Sequence, residues 1–176
     1  MILSKNDFKE YLKEDYKVNH FDGLKSNFSI IKKYLYRLRK TEYLINCKKC
    51  RIRVFFSKFF LSRLSVKSGI TIGINCFGKG LYIPHYGYIV CNKNCRFGDY
   101  CIVQCGVNIS DGSNGGEHIY FGTGAKIMRN VKISSFSIIG ANAVVTKDVL
   151  KENSVVVGVP AKVISYNGMK NRDRPV

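Results

Sequence analysis

Acidic residues are scarce in this chain. Only 12 Asp and Glu stand against 29 Lys and Arg, a formal charge of +17 over 176 residues. Long apolar runs are missing too: none reaches the roughly 18–20 residues that carry a helix across a bilayer, which excludes a helical membrane span. The opening MILSKNDFKEYLKED is too charged to supply the apolar core of a signal peptide, so a cytoplasmic protein is expected. Despite the charge, no stretch matches a DNA- or RNA-binding motif, and nucleic acid is not an expected partner. Cys47 and Cys50 form a C-x-x-C with no second Cys or His pair nearby, so no metal site is predicted. The seven cysteines read as reduced thiols.

What the chain does have is a period of six. From Cys91 to Lys147 most six-residue blocks open on an apolar residue: Phe97, Val103, Ile109, Phe121, Ile127, Ile133, Ile139 and Val145. A small or apolar residue recurs four places later, at Cys101, Val107, Ile119, Ala125, Val131, Ser137 and Ala143. An α-helix repeats near 3.6 residues and a half-buried strand near 2, so neither fits. Hexapeptide repeats indicate a parallel β-helix, each block forming one short flat side of a coil. Three blocks per turn make a triangular prism with both repeated positions directed inward. The segment GITIGINCFGKGLYIPHYGYIV has its own register through Phe77, Ile83 and Ile89, which shifts by two residues before Cys91. A local irregularity is therefore expected beside His85, where a side chain escapes the packing that commits regular positions.

Residues 1–67 are a different material. Phe28, Ile31, Leu35 and Leu38 fit helical spacing, and IRVFFSKFFLSRL is a second amphipathic candidate. From Lys25 to Lys67 thirteen Lys or Arg face one acid, Glu42. Such a segment is either a solvated basic face or a surface for something anionic, and basic amphipathic helices read as membrane-surface candidates. The expected organisation is a basic helical segment over 1–67, a β-helix over 68–165 and a polar tail over 166–176. Peripheral membrane contact through residues 25–67, at the inner face of the membrane, is one expectation of this layout.

The stretch GLYIPHYGYIV, the coils that follow, IGANAVV and GVPAKVI resemble the hexapeptide-repeat acyltransferases. Within them the chain is similar to the serine acetyltransferase branch, especially relatives that acetylate capsular or exopolysaccharide. The match covers roughly residues 66–165. The resemblance implies a mainly β fold, a left-handed parallel β-helix with a short α-helical N-terminal segment, assembled as a homotrimer with acetyl-CoA in a groove between adjacent prisms. It implies His85 as the catalytic base, since an imidazole with an ordinary pKa near 6.5 suits proton removal from a hydroxyl at neutral pH. Carried over by position, Ser110, Thr123, Ala141 and Lys162 are the expected acetyl-CoA contacts. His118, after the glycine-rich SDGSNGG, is a candidate for the acceptor site.

Two departures bear on the acceptor. The serine enzymes place an aspartate directly before the catalytic histidine and another fifteen residues upstream; this chain has Pro84 and Ile70 there. Glu42 is a candidate replacement for the missing carboxylate if the leader folds onto a neighbouring active site. With fewer anionic groups for an amino acid's ammonium, the expected reaction is O-acetylation of a sugar hydroxyl in a surface polysaccharide or its glycan precursor, by direct transfer from acetyl-CoA. Serine O-acetylation for cysteine synthesis, N-acetylation of an amino sugar, and a non-catalytic trimeric scaffold at a membrane are the alternatives.

Overall fold

The computed structural model describes residues 1–21 and 29–172. Lys25 and Phe28, on which part of the basic-helix expectation rests, lie outside them, as do the last four residues of the tail. Three helices precede the coil: α1 (Lys5–Val18), α2 (Ile30–Asn46) and α3 (Arg51–Ser68). The last two coincide with the amphipathic stretches. α1 was not anticipated, although its start is written in the sequence. The Ser4 hydroxyl accepts from Asp7 N while the Asp7 carboxylate accepts from Ser4 N, each at 3.0 Å, a reciprocal cap for orphan helix donors. α3 stops at Gly69, with φ +71°, where a Cβ would sit 2.9 Å from the Gly87 backbone; only glycine fits that turn into the coil.

The coil has three flat faces. The first is five parallel strands deep, with β1 (Ile70–Ile72), β2 (Ile89–Cys91), β4 (Asn108–Ile109), β7 (Lys126–Ile127) and β10 (Val144–Val145) one above another. The second stacks β3 (Ile102–Val103), β6 (Tyr120–Phe121), β9 (Ile138–Ile139) and β11 (Val155–Gly158), and β12 (Ala161–Ser165) closes it antiparallel. The third holds β5 (Asn114–Gly115) and β8 (Lys132–Ile133), extended by bridges from Phe77 to Phe97 and from Arg96 to Asn114. Asn108 lies on Lys126 and Lys126 on Val144, so a turn is three hexapeptides.

Every apolar position that opens a block from Phe97 to Val145 is buried, and so is every one four places later. Each short strand gives one inward side chain, which is why the period survives in the sequence. Phe77, Phe97 and Phe121 fill the lower core with ring centroids 5.2–6.4 Å apart. Gly115 takes the inward position beside them, because a Cβ there would lie 2.6 Å from Ile133 O and 3.0 Å from the Phe97 ring. Burial of one such aromatic contributes about 1.5–3 kcal/mol.

The helices grip the lowest coil through buried polar groups. Arg39, wholly buried, donates Nε to Asp15 at 2.8 Å and Nη1 to Glu42 at 3.0 Å. Its remaining donors reach the carbonyls of Phe77 and Gly78. The two carboxylates also accept from coil amides: Asp15 from Leu81 N at 2.9 Å and Glu42 from Asn75 N at 2.8 Å. Tyr34 accepts from Ile72 N at 2.9 Å, and burial holds its phenol above the ordinary range. Charged groups inside a fold stand only when paired and hydrogen-bonded, and here all three are.

Candidate active site

The irregularity expected beside His85 is an insertion at one prism edge. Tyr82 pairs with Ile102 and Val90 with Asn108, so the first coil spends eight residues on a corner that the next coil turns in six. The extra length pushes His85, Tyr86 and Tyr88 outward while Ile83 and Ile89 on either side stay buried. Both ends are fixed. Below, Asn19 accepts from Ile83 N; above, Gly87 N donates to Ser68 O and Ile89 N to Gly69 O, each at 2.9 Å. A short exposed arc between two anchored ends presents His85 to solvent. Among the described residues no hydrogen bond reaches its imidazole, so none of their side chains orients it by hydrogen bonding.

The 18-residue turn sets what shares this edge. Cys105, Thr123 and Ala141 stand one above another over the Gly87 corner, linked by Gly106 N to Tyr88 O, Gly124 N to Cys105 O and Asn142 N to Thr123 O. The structure therefore brings His85, Thr123 and Ala141 to a single edge. The backbone amides of Cys105, Thr123 and Ala141 find no acceptor among the described residues, as happens at other regular corners, and they are donors free for a ligand that runs along the edge. Lys126 holds its ammonium here, 2.7 Å from Gly106 O and 3.0 Å from Gly124 O. Cys105 and Lys126 were not anticipated, yet simple counting by 18 from Thr123 and by 20 from Gly106 finds them.

The other expected residues are elsewhere. Ser110 sits at the edge between the first and third faces, its carbonyl taken by Cys95 and Ser113. Lys162 is exposed on β12, opposite Val157, and Val157 lies against Gly140, one residue from Ala141. His118 occupies the edge between the third and second faces, stacked between Tyr100 and Phe136 at centroid distances of 5.1 Å. Its Nδ1 is buried, with no hydrogen-bond partner among the described residues. It is a rung in an aromatic ladder, away from the His85 edge, and a part at an acceptor site would need another copy of the chain to bring the two edges together. Glu42 is not a stand-in carboxylate for His85: one oxygen is held by Arg39 and the other by Asn75, and the residue is 1 % exposed. Burial pushes its carboxyl up, with Arg39 pulling the other way, as befits a group inside the fold rather than at a solvent-facing base.

No family model matches the chain. Over 118 residues it is 33 % identical to a serine acetyltransferase of Synechococcus elongatus, covering 62 % of this chain and 48 % of that protein. Over 124 residues it is 32 % identical to one from Staphylococcus aureus, covering 65 % and 54 %. Over somewhat less than two thirds of its length the chain is thus similar to serine acetyltransferases. The chain spans about half the length of these curated relatives. Among solved structures, the serine acetyltransferase of Neisseria gonorrhoeae superposes with a TM-score of 0.77 at 22 % identity over 92 % of this chain and 68 % of that one. The soybean apoenzyme gives 0.77 at 20 % identity over 91 % and 70 %. These carry the fold, and the expected left-handed β-helix stands. The expected sugar acceptor does not: the curated relatives at 32–33 % identity are serine acetyltransferases. Pro84 and Ile70 are departures beside that similarity and do not by themselves mark a polysaccharide enzyme.

Proposed function

We propose that this chain is an acetyl-CoA-dependent serine O-acetyltransferase, with His85 as its base. The observation that carries the reading is the two-residue insertion that presents His85 on the edge shared by Thr123 and Ala141, in a coil akin to serine acetyltransferases. The His85 imidazole takes the proton of the serine hydroxyl as oxygen attacks the thioester carbonyl. The free corner amides supply donors for the oxyanion. The tetrahedral intermediate collapses, the C–S bond breaks, and CoA leaves as a thiolate that recovers the proton from His85. The products are O-acetylserine, a precursor for cysteine synthesis, and free CoA. Base catalysis of this kind contributes about 10²–10⁴-fold.

The edge is open on one side, and a wall for the pantetheine arm requires a second prism. A homotrimer with acetyl-CoA between adjacent copies meets that need. Thr123 and Ala141 then line the arm through their backbone, and Lys162, on the hairpin that closes the second face, is placed to meet a CoA phosphate. Ser110 is left out of this reading. The test is a His85→Ala protein: acetyl-CoA binding by calorimetry is retained and serine-dependent turnover falls by about 10²-fold or more. Turnover within a few fold of wild type removes His85 from the chemistry.

A further inference from the structure

α3 is apolar on two opposite faces. Ser57, Leu61, Leu64 and Ser68, spaced by four, three and four, turn toward α2 and the coil, and Ser57 bonds Thr41 at 2.7 Å. Diametrically opposite, Ile52, Phe55, Phe59 and Val66 point to solvent, with Phe56 beside them; all five are about half exposed or more, Val66 at 85 %. A globular surface helix keeps one apolar stripe and one polar face. Among the described residues nothing covers the second stripe.

The charge around the stripe is of one sign. Arg51 and Lys58 flank it on one side, Arg53 and Lys67 on the other, with Arg63 in line and its guanidinium over the Phe59 ring at 5.9 Å. Lys48 and Lys49 extend the set at the N-terminal end, and all seven cations are exposed. From Tyr43 through Gly98 the chain has no Asp or Glu at all. Beneath Phe60, Arg37 lies 5.0 Å from the ring with its Nε buried and unpartnered among the described residues, between two grooves that Lys33, Lys40 and Arg53 help to line.

We propose that the outward face of α3 is a docking surface for an anionic bilayer. Phenylalanines enter the boundary between headgroups and acyl chains, and the cations on both flanks, on long apolar stems, reach lipid phosphates at the same depth. A second copy of the chain fits less well. An isologous contact through this stripe would set seven cations against seven, and residues 43–98 bring no acid to neutralise them. An anionic leaflet supplies the missing sign. The surface is distant in role from the His85 edge, and the proposal stands or falls without acetyl transfer.

The chain has no tryptophan, so Phe59→Trp gives one clean reporter. Full-length Phe59→Trp is titrated with phosphatidylcholine vesicles, with and without about one-quarter phosphatidylglycerol. Anionic vesicles shift the emission to the blue and allow quenching by bromine on the acyl chains; neutral vesicles bind about tenfold or more weakly, and high salt releases the protein. Co-sedimentation of Phe55→Ser/Phe59→Ser falls about tenfold or more against the unmodified chain, with its melting temperature and mass by light scattering unchanged. Equal binding to neutral and anionic vesicles overturns the proposal, as does undiminished sedimentation of the double variant. A double variant that instead drops to a smaller assembly assigns the stripe to self-association and overturns it as well.

Discussion

Asn19 holds the backbone of Ile83. Its Oδ1 accepts from Ile83 N at 3.1 Å and its Nδ2 donates to Leu81 O at 2.8 Å, with Asp15 O as a second acceptor. Ile83 is two residues from His85, so the end of α1 fixes the lower anchor of the arc that presents His85. Asn19→Ala leaves a buried amide and a buried carbonyl unpaired, which costs about 1–3 kcal/mol for each unsatisfied group. Denaturant unfolding should show that loss. Serine turnover should fall through kcat more than through KM for acetyl-CoA, because the arc shifts while the Thr123 and Ala141 corners do not.

Arg39 ties α1, α2 and the first coil together through Asp15, Glu42 and two carbonyls. Removing one partner strands a buried charge. Asp15→Asn or Arg39→Met should each destabilise the fold by about 3–5 kcal/mol, read as a lower denaturant midpoint. Glu42→Gln should cost less than Arg39→Met, since the amide carbonyl still accepts from Asn75 N and burial already opposes the carboxylate.

Much of this was legible in the sequence for one physical reason: a β-helix turns local order into global order. Each hexapeptide gives two inward residues whatever its neighbours do, so Phe97 through Val145 announce their burial one block at a time. The shift before Cys91 likewise located the irregular corner at His85. The Arg39 cluster could not be read, because Asp15, Arg39 and Gly78 meet only after the helices fold back on the coil. Glu42 illustrates the same blindness: as the single acid among thirteen cations it looked available, and the fold uses it inside. The stacking of His118 could have been read as well: the 18-residue step from Tyr100 to His118 to Phe136 already spelled a ladder. The acceptor was misjudged from Pro84 and Ile70, two absences that do not outweigh 32–33 % identity to serine acetyltransferases over 118–124 residues.

Those absences still have a consequence. Among the described residues no carboxylate bonds His85 to orient its ring or, in the proposed reaction, to steady its imidazolium. Pro84→Asp places one directly beside it. The expected outcome is a gain of about tenfold or more in kcat/KM for L-serine, with acetyl-CoA affinity unchanged, measured by steady-state kinetics. No gain would mean that orientation of His85 comes from another copy in the assembly.

His118 carries a buried Nδ1 with no hydrogen-bond partner among the described residues, inside a stack of aromatic rings. His118→Phe keeps the stack and removes the desolvated nitrogen, so thermal unfolding should move up by the equivalent of about 1 kcal/mol. His118→Ala should move it down by a similar amount, since two ring contacts are lost.

The most direct test of the central claim is CoA release by the purified chain with acetyl-CoA and L-serine, beside a serine-free background and His85→Ala. Turnover that needs both serine and His85, with O-acetylserine identified by mass, is the predicted result. CoA release that ignores serine, or that survives the loss of His85, would contradict the account.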